Sequence, residues 1–178
     1  MQYAELFHSL HPDFFRQDFI RSLPPEDVFS ELILDLHAFV PDPLPAPDGI
    51  TFGLYEGSLE ALHEAVRLVD EDWVQYFGSG SSVFCAMAGE QLVSFCILDD
   101  MGTHQGRRIS GPGCVGTIPA FRQRGVGLKL VQLATEHLKR QGYDLSWIHY
   151  THLAPWYSRL GYETVVRWNS TGLLWTKG

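Results

Sequence analysis

The stretch Arg122-Gln123-Arg124-Gly125-Val126-Gly127 stands directly before the longest amphipathic segment of the chain. Unpaired amides at a helix N-terminus, together with the helix dipole, attract anions, and glycines let a phosphate reach the backbone with no Cβ in the way. Arg122 and Arg124 add positive charge. The chemistry of this pattern is phosphate binding, although a plain surface turn before an ordinary helix uses the same residues, and spacing alone does not separate the two. Gly111-Pro112-Gly113-Cys114-Val115-Gly116 satisfies the dinucleotide spacing G-x-G-x-x-G. That motif must open a helix straight after a strand. Here Thr117-Ile118-Pro119 continues extended chain, so a nicotinamide site is not expected. No Gly-Lys-Ser/Thr ends the run, which removes a P-loop. His149 and His152 have the spacing of a metal pair on a helix, but they fall in and just after a predicted strand, which points alternate residues to opposite faces, and no metal is expected. Cys85, Cys96 and Cys114 are odd in number, lack C-x-x-C spacing and have apolar or small neighbours, as buried free thiols do.

These residues need elements to position them. A helix opened by His11-Pro12-Asp13 carries Phe15, Phe19 and Leu23 at near-helical spacing and is broken by Pro24-Pro25. A second puts Phe29, Leu32, Leu36 and Phe39 on one stripe, with Glu26 and Asp27 in its first turn. The prolines between Pro41 and Pro47 then favour an extended spacer. The expected organisation is a helical extension and spacer over 1–48 and a single domain over 49–178. From Ile50 short strands and helices alternate: a strand over Ile50 to Tyr55, a helix capped by Ser58 with Leu59, Leu62, Val66 and Val69 on one face, and a short turn over Trp73 to Phe77. A hairpin of Val83 to Ala88 and Leu92 to Leu98 follows, then a loop over Met101 to Gly106. Arg107 to Thr117 reads as a strand whose Gly111-Pro112-Gly113 forces a bulge or splay. A helix over Val126 to Gln141, a strand over Asp144 to Tyr150, a short helix near Leu153 to Arg159 and a strand pair over Tyr162 to Trp175 complete a mixed α/β chain.

The sequence resembles the GCN5-related N-acetyltransferase family, whose cofactor motif is Arg or Gln, two residues, Gly, one residue, then Gly or Ala. Arg122, Gly125 and Gly127 match it, Val115 and Pro119 stand where the family has a strand residue and a proline, and Trp156-Tyr157-Ser158-Arg159-Leu160-Gly161-Tyr162 looks like its aromatic-Tyr-x-x-x-Gly-aromatic signature. The resemblance covers roughly Ile50 to Trp175. It implies a mixed, mostly antiparallel central sheet flanked by helices, and transfer of the acetyl group of acetyl-CoA to an amine acceptor. It implies that Arg122 and the amides of Gln123, Arg124, Gly125, Val126, Gly127 and Leu128 hold the pyrophosphate. The backbone of Cys114, Val115, Gly116 and Thr117 would pair with the pantetheine arm along a splayed strand. Tyr157 matches the tyrosine that protonates the leaving sulfur, and an amide near Val115 faces the developing oxyanion. His149 and His152 are candidates for the general base. The chain departs from the family at Tyr150, where many members carry Asn, and at Pro155 inside the short helix. A non-catalytic acyl-CoA-binding or regulatory module, with the same loop but no completed acceptor site, is the alternative.

With 178 residues, 45% hydrophobic and 19% charged, the chain has the balance of an ordinary globular protein. No apolar run reaches the roughly 20 residues that span a bilayer, and Met1-Gln2-Tyr3-Ala4-Glu5 lacks the build of a signal peptide, so a cytoplasmic protein without membrane contact is expected. A net charge of −8 argues against a nucleic-acid partner. The N-terminal helices either mediate a homodimer or pack on their own domain.

Overall fold

The computed structural model describes residues 2–178. Strands β1 (Phe29–Asp35), β2 (Ile50–Leu54), β3 (Val83–Ala88), β4 (Gln91–His104), β5 (Arg107–Thr117), β6 (Leu145–Thr151), β7 (Glu163–Asn169) and β8 (Gly172–Thr176) form one eight-stranded sheet in the order β2-β3-β4-β5-β6-β1-β7-β8. Helices α1 (Tyr3–Leu10), α2 (Asp18–Arg21), α3 (Leu59–Arg67), α4 (Val126–Arg140) and α5 (Ala154–Ser158) lie against it. Every neighbouring pair is antiparallel except β5 with β6.

That parallel seam is short. Only Ile109 with Leu145 and Ser110 with Ser146 are in register, after which β5 stays on β4 and leaves β6. The local residues explain the parting. At Gly111 the two backbones are so close that a Cβ would sit 1.8 Å from the Trp147 carbonyl oxygen. Pro112 has no N–H to continue a ladder. Next, Cys114 at φ 46° forms a bulge, marked by the register shift between Phe95 and Ile97 on β4. The splay expected at Gly111-Pro112-Gly113 is therefore present.

Helix α4 buries Leu130, Ala134 and Leu138 in one core with residues of the β3–β4 pair. Burying such a leucine is worth about 2 kcal/mol, so this face holds the helix in place. Ser58 caps α3 by accepting the Ala61 N–H at 3.2 Å. On the other face of the sheet, Leu6, Phe7, Phe14 and Ile20 pack on Trp147, Val165 and Trp168. No helix among the described residues is long and apolar enough to cross a membrane.

Four expectations are corrected. The helix expected after His11 is a 3₁₀ turn at Phe14–Arg16 followed by the single turn of α2, because Asp13 adopts φ 58°; the longer helix is α1, before it. The second helix is strand β1. Phe29 and Ile33 face one core and Leu32 another, so a run that matches helical spacing is an interior strand buried on both sides. The loop over Met101 to Gly106 is the end of β4, which runs to His104 and turns at Gln105 and Gly106, both at positive φ. With β1 seated between β6 and β7, the proline-rich segment does not divide an appendage from the domain. It is a strap across the α4 side, where Lys139 Nζ donates to the Phe39 carbonyl at 2.6 Å and Gln132 to that of Asp42.

Candidate active site

The loop before α4 follows the end of β5, close to the split. Gln123 at φ 61° and Gly125 at φ 78° turn the chain sharply into the helix, and Gly125 is an N-cap with no side chain to offer. Among the described residues, no backbone N–H from Gln123 through Leu128 has a protein acceptor, while the Gly125 carbonyl already accepts from Lys129 at 3.1 Å. Arg122, Gln123, Arg124 and Gly125 are exposed. Arg122 Nε donates to the Thr117 carbonyl at 3.0 Å, which ties the loop to the end of β5, and the Arg124 guanidinium lies 5.0 Å from the Phe121 ring centre. The Val126 and Leu128 side chains are buried, so only their amides face the loop. Around Gly125 there is open space, whereas a Cβ at Gly127 would sit 2.9 Å from Thr117 Oγ1 and 3.6 Å from the Trp156 ring.

Beside this loop lies the open stretch of β5. Gly116 has no room for a Cβ, which would meet the Phe95 ring at 2.5 Å, and Ser94 Oγ donates to the Gly116 carbonyl at 2.7 Å. These contacts hold β5 to β4 and away from β6. Cys114, Val115 and Thr117 are half-buried along the gap, and burial pushes the Cys114 thiol up to about 12, which leaves it a neutral, unreactive group.

Tyr157 enters from α5 and is packed with Leu128 and Val131 of α4 and Ile148 of β6, with Val115 at the margin. Burial, then the neighbouring Tyr162 hydroxyl and the Cys96 and Cys114 thiols, raises its hydroxyl above the usual tyrosine range. It keeps its proton at neutral pH. Tyr162 is anchored by Ser146 Oγ at 2.7 Å and Thr135 Oγ1 at 2.9 Å.

Of the two histidines, His149 lies on β6 beyond its last pairing with β5, and His152 is exposed with its ring 4.2 Å from that of Phe29. His149 is bonded to Glu31, a fully buried carboxylate on β1. Sequence reasoning misses Glu31 and the neighbouring His11, because the spacing around Glu31 suits a helix; the one available signal is a lone charge inside the apolar run Phe29 to Leu34. A cleft of about 760 Å³, lined by Asp35, Phe39, Arg107, Leu145 and Arg159 among others, lies at the closed end of β5 and β6, away from these groups.

A family model for the acetyltransferase (GNAT) domain matches residues 79–164. No curated protein matches by sequence. Among solved structures, a GCN5-related glucosamine N-acetyltransferase region of a fungal multi-domain β-N-acetylglucosaminidase superposes with a TM-score of 0.67 at 23% identity, over 80% of this chain and 20% of that one. A GCN5-related N-acetyltransferase from Sphaerobacter thermophilus gives 0.59 at 19% identity, over 82% of this chain and 50% of that one. One from Kribbella flavida gives 0.53 at 17% identity, over 80% and 56%. The chain thus spans from a fifth to little more than half of these proteins, and the likeness is one of fold. Residues 79–164 thus match the acetyltransferase (GNAT) domain model, and the sheet has the fold of the GCN5-related N-acetyltransferases over most of the chain.

Proposed function

We propose that this chain transfers an acetyl group from acetyl-CoA directly to an amine. The observation that carries the reading is the run of backbone N–H groups from Gln123 through Leu128, free of protein acceptors and opening beside a split parallel seam. The residues present fit coenzyme A. Exposed amides at the start of α4, with Arg122 and Arg124, would hold its diphosphate, and Gly125 leaves the approach clear. The β5 backbone at Cys114, Val115, Gly116 and Thr117, released from β6, would pair with the pantetheine amides as an added strand. When bound, acetyl-CoA supplies an activated thioester. Tyr157, protonated in its buried setting, would donate to the departing sulfur, and an N–H near Val115 would face the thioester oxygen. The net charge of −8 suits a cationic amine acceptor better than a polyanion, and the free thiols suit a reducing cytoplasm.

The test is thiol release from acetyl-CoA across a panel of amines, with mass gain of one acetyl group on the acceptor. Amino sugars come first, given the fungal region described as a glucosamine N-acetyltransferase; polyamines, amino acids and peptide N-termini follow. Turnover on any of them is expected. Binding of acetyl-CoA with no turnover on any would replace this reading with a non-catalytic acyl-CoA-binding module.

A further inference from the structure

Glu31 has no solvent exposure, yet its carboxylate is saturated with donors. Oε1 accepts from Trp168 Nε1 at 2.7 Å and from the Tyr150 N–H at 3.1 Å, and Oε2 accepts from Trp147 Nε1 at 2.8 Å. His149 Nδ1 lies 2.9 Å from Oε2 and 3.0 Å from Oε1. Indole and backbone N–H groups only donate, so both oxygens already act as acceptors and Nδ1 is the nitrogen that bears the proton. The lone pair is left on Nε2.

The backbone is bent to build this pair. Pairing of β1 shifts register on both sides of Glu31, toward β6 between Ser30 and Leu32 and toward β7 between Glu31 and Leu32. Opposite Glu31, His149 and Tyr150 form a bulge with Tyr150 at φ 56°. Bulges re-aim side chains, and a non-glycine residue stays at positive φ only where its surroundings hold it there. The His11 ring stacks on that of His149 at 3.7 Å and 18°, and the Phe14 ring meets it edge-on at 5.1 Å. Nδ1 is turned inward and one face of the ring is covered, yet 27% of the His149 side chain remains exposed.

His149 sits on the part of β6 that β5 has left, and Ile148 beside it packs with Tyr157, so alternation along the strand puts His149 on the opposite face of the sheet from the tyrosine. We propose that His149 is the proton acceptor for the incoming amine and that Glu31 is the residue that positions it. This rests on the transfer reading above. A protonated acceptor gives one proton to Nε2, and the N–H bonding pair becomes the nitrogen lone pair. The C–N bond then forms and the C–S bond breaks, with its electron pair going to sulfur, which takes the Tyr157 proton. The proton that nitrogen loses as the amide forms restores the Tyr157 hydroxyl through solvent, and the imidazolium returns its own proton to solvent. The titratable groups facing His149 are Glu31 from β1, His11 from the turn after α1 and Tyr150 from β6; β7 contributes the non-titrating Trp168. His11 is held neutral, lowered to about 3 by burial and by His149 beside it, so it covers the pair and does not compete as a base. The ligand atoms of His11, Glu31 and His149 lie within 4.8 Å of one another, but N–H donors already occupy both Glu31 oxygens, which favours the proton-transfer role over a metal.

The test compares wild type with His149→Gln and Glu31→Gln on two acceptors, an alkylamine that is protonated at neutral pH and a hydrazide that is already neutral. For His149→Gln, kcat/KM for the alkylamine should fall about 10²-fold and lose its acid limb, while the hydrazide changes by less than about threefold and acetyl-CoA affinity is kept. Added imidazole should restore part of the alkylamine rate. Glu31→Gln should show the same selectivity more weakly; where it fails to fold, His149→Gln decides. Equal losses on both amines with an unchanged pH profile would overturn the assignment, as would activity that a chelator abolishes and zinc restores. An active wild type with an unaffected His149→Gln overturns this assignment alone, whereas a wild type inactive on every amine overturns the transfer reading and this assignment with it.

Discussion

On the α4 side of the split the groups proposed to hold the cofactor come from one continuous stretch, Cys114 to Leu128, and act mainly through backbone amides. On the opposite face, His11, Glu31 and His149 come from three distant parts of the chain and act through side chains brought together by β1. A backbone site needs only local conformation, so glycine spacing writes it into a motif. A side-chain site depends on strand order and register, which no local pattern records. The first side tolerates change wherever φ is respected; the second fails whenever one partner of a buried network is lost.

The largest effect should come where both sides share a wall. Gly111→Val puts a side chain onto the Trp147 carbonyl, and urea unfolding should show a loss of about 4 kcal/mol or more, or no folded protein. A smaller loss would mean that the strands can part there cheaply. Next, Glu31→Leu leaves the Trp147 and Trp168 indole N–H groups without their acceptor in the core, and should cost about 3 kcal/mol by the same assay with a red shift in tryptophan emission. Tyr157→Phe removes only a hydroxyl on the α4 side, where the cofactor is proposed to bind. A fall in kcat of about 10²-fold with unchanged acetyl-CoA affinity is expected, read from thiol release and from calorimetric titration.

A smaller, pH-dependent effect belongs to the far face. Burial above all lowers His11 from the ordinary 6.5 to about 3. Above pH 6.5 it is neutral whether folded or unfolded; below that the unfolded chain takes up a proton that the folded protein refuses until about pH 3, so stability falls as the pH drops through this window. Between pH 7 and pH 5 the loss amounts to about 2 kcal/mol. His11→Phe should flatten that part of the profile in urea titrations at the two pH values, and an unchanged slope would show that His11 is not the group responsible.

Much of the chain from Ile50 onward was legible because its elements are short, patterned and punctuated: Ser58 caps α3, Gly142 at φ 79° ends α4, and β5 has the bounds expected of it, Arg107 to Thr117. The sharp turn into α4 and the short helix that carries Tyr157 were legible for the same reason, as local spacing. The first forty residues were not. Phe29, Leu32, Leu36 and Phe39 satisfy helical spacing, and only tertiary pairing with β6 and β7 decides for a strand. Glu31 meets His149 only through that pairing, so a helical reading of the segment does not place the two side by side.

The most direct measurement is a calorimetric titration of acetyl-CoA into Gly125→Asp. The position is open, with nothing within 4 Å of an added Cβ, and Asp tolerates its left-handed backbone, so the fold should lose only about 1 kcal/mol. A carboxylate set among the free amides of Gln123 through Leu128 should weaken binding about tenfold or more. Undiminished affinity in a folded variant would contradict diphosphate binding at this loop.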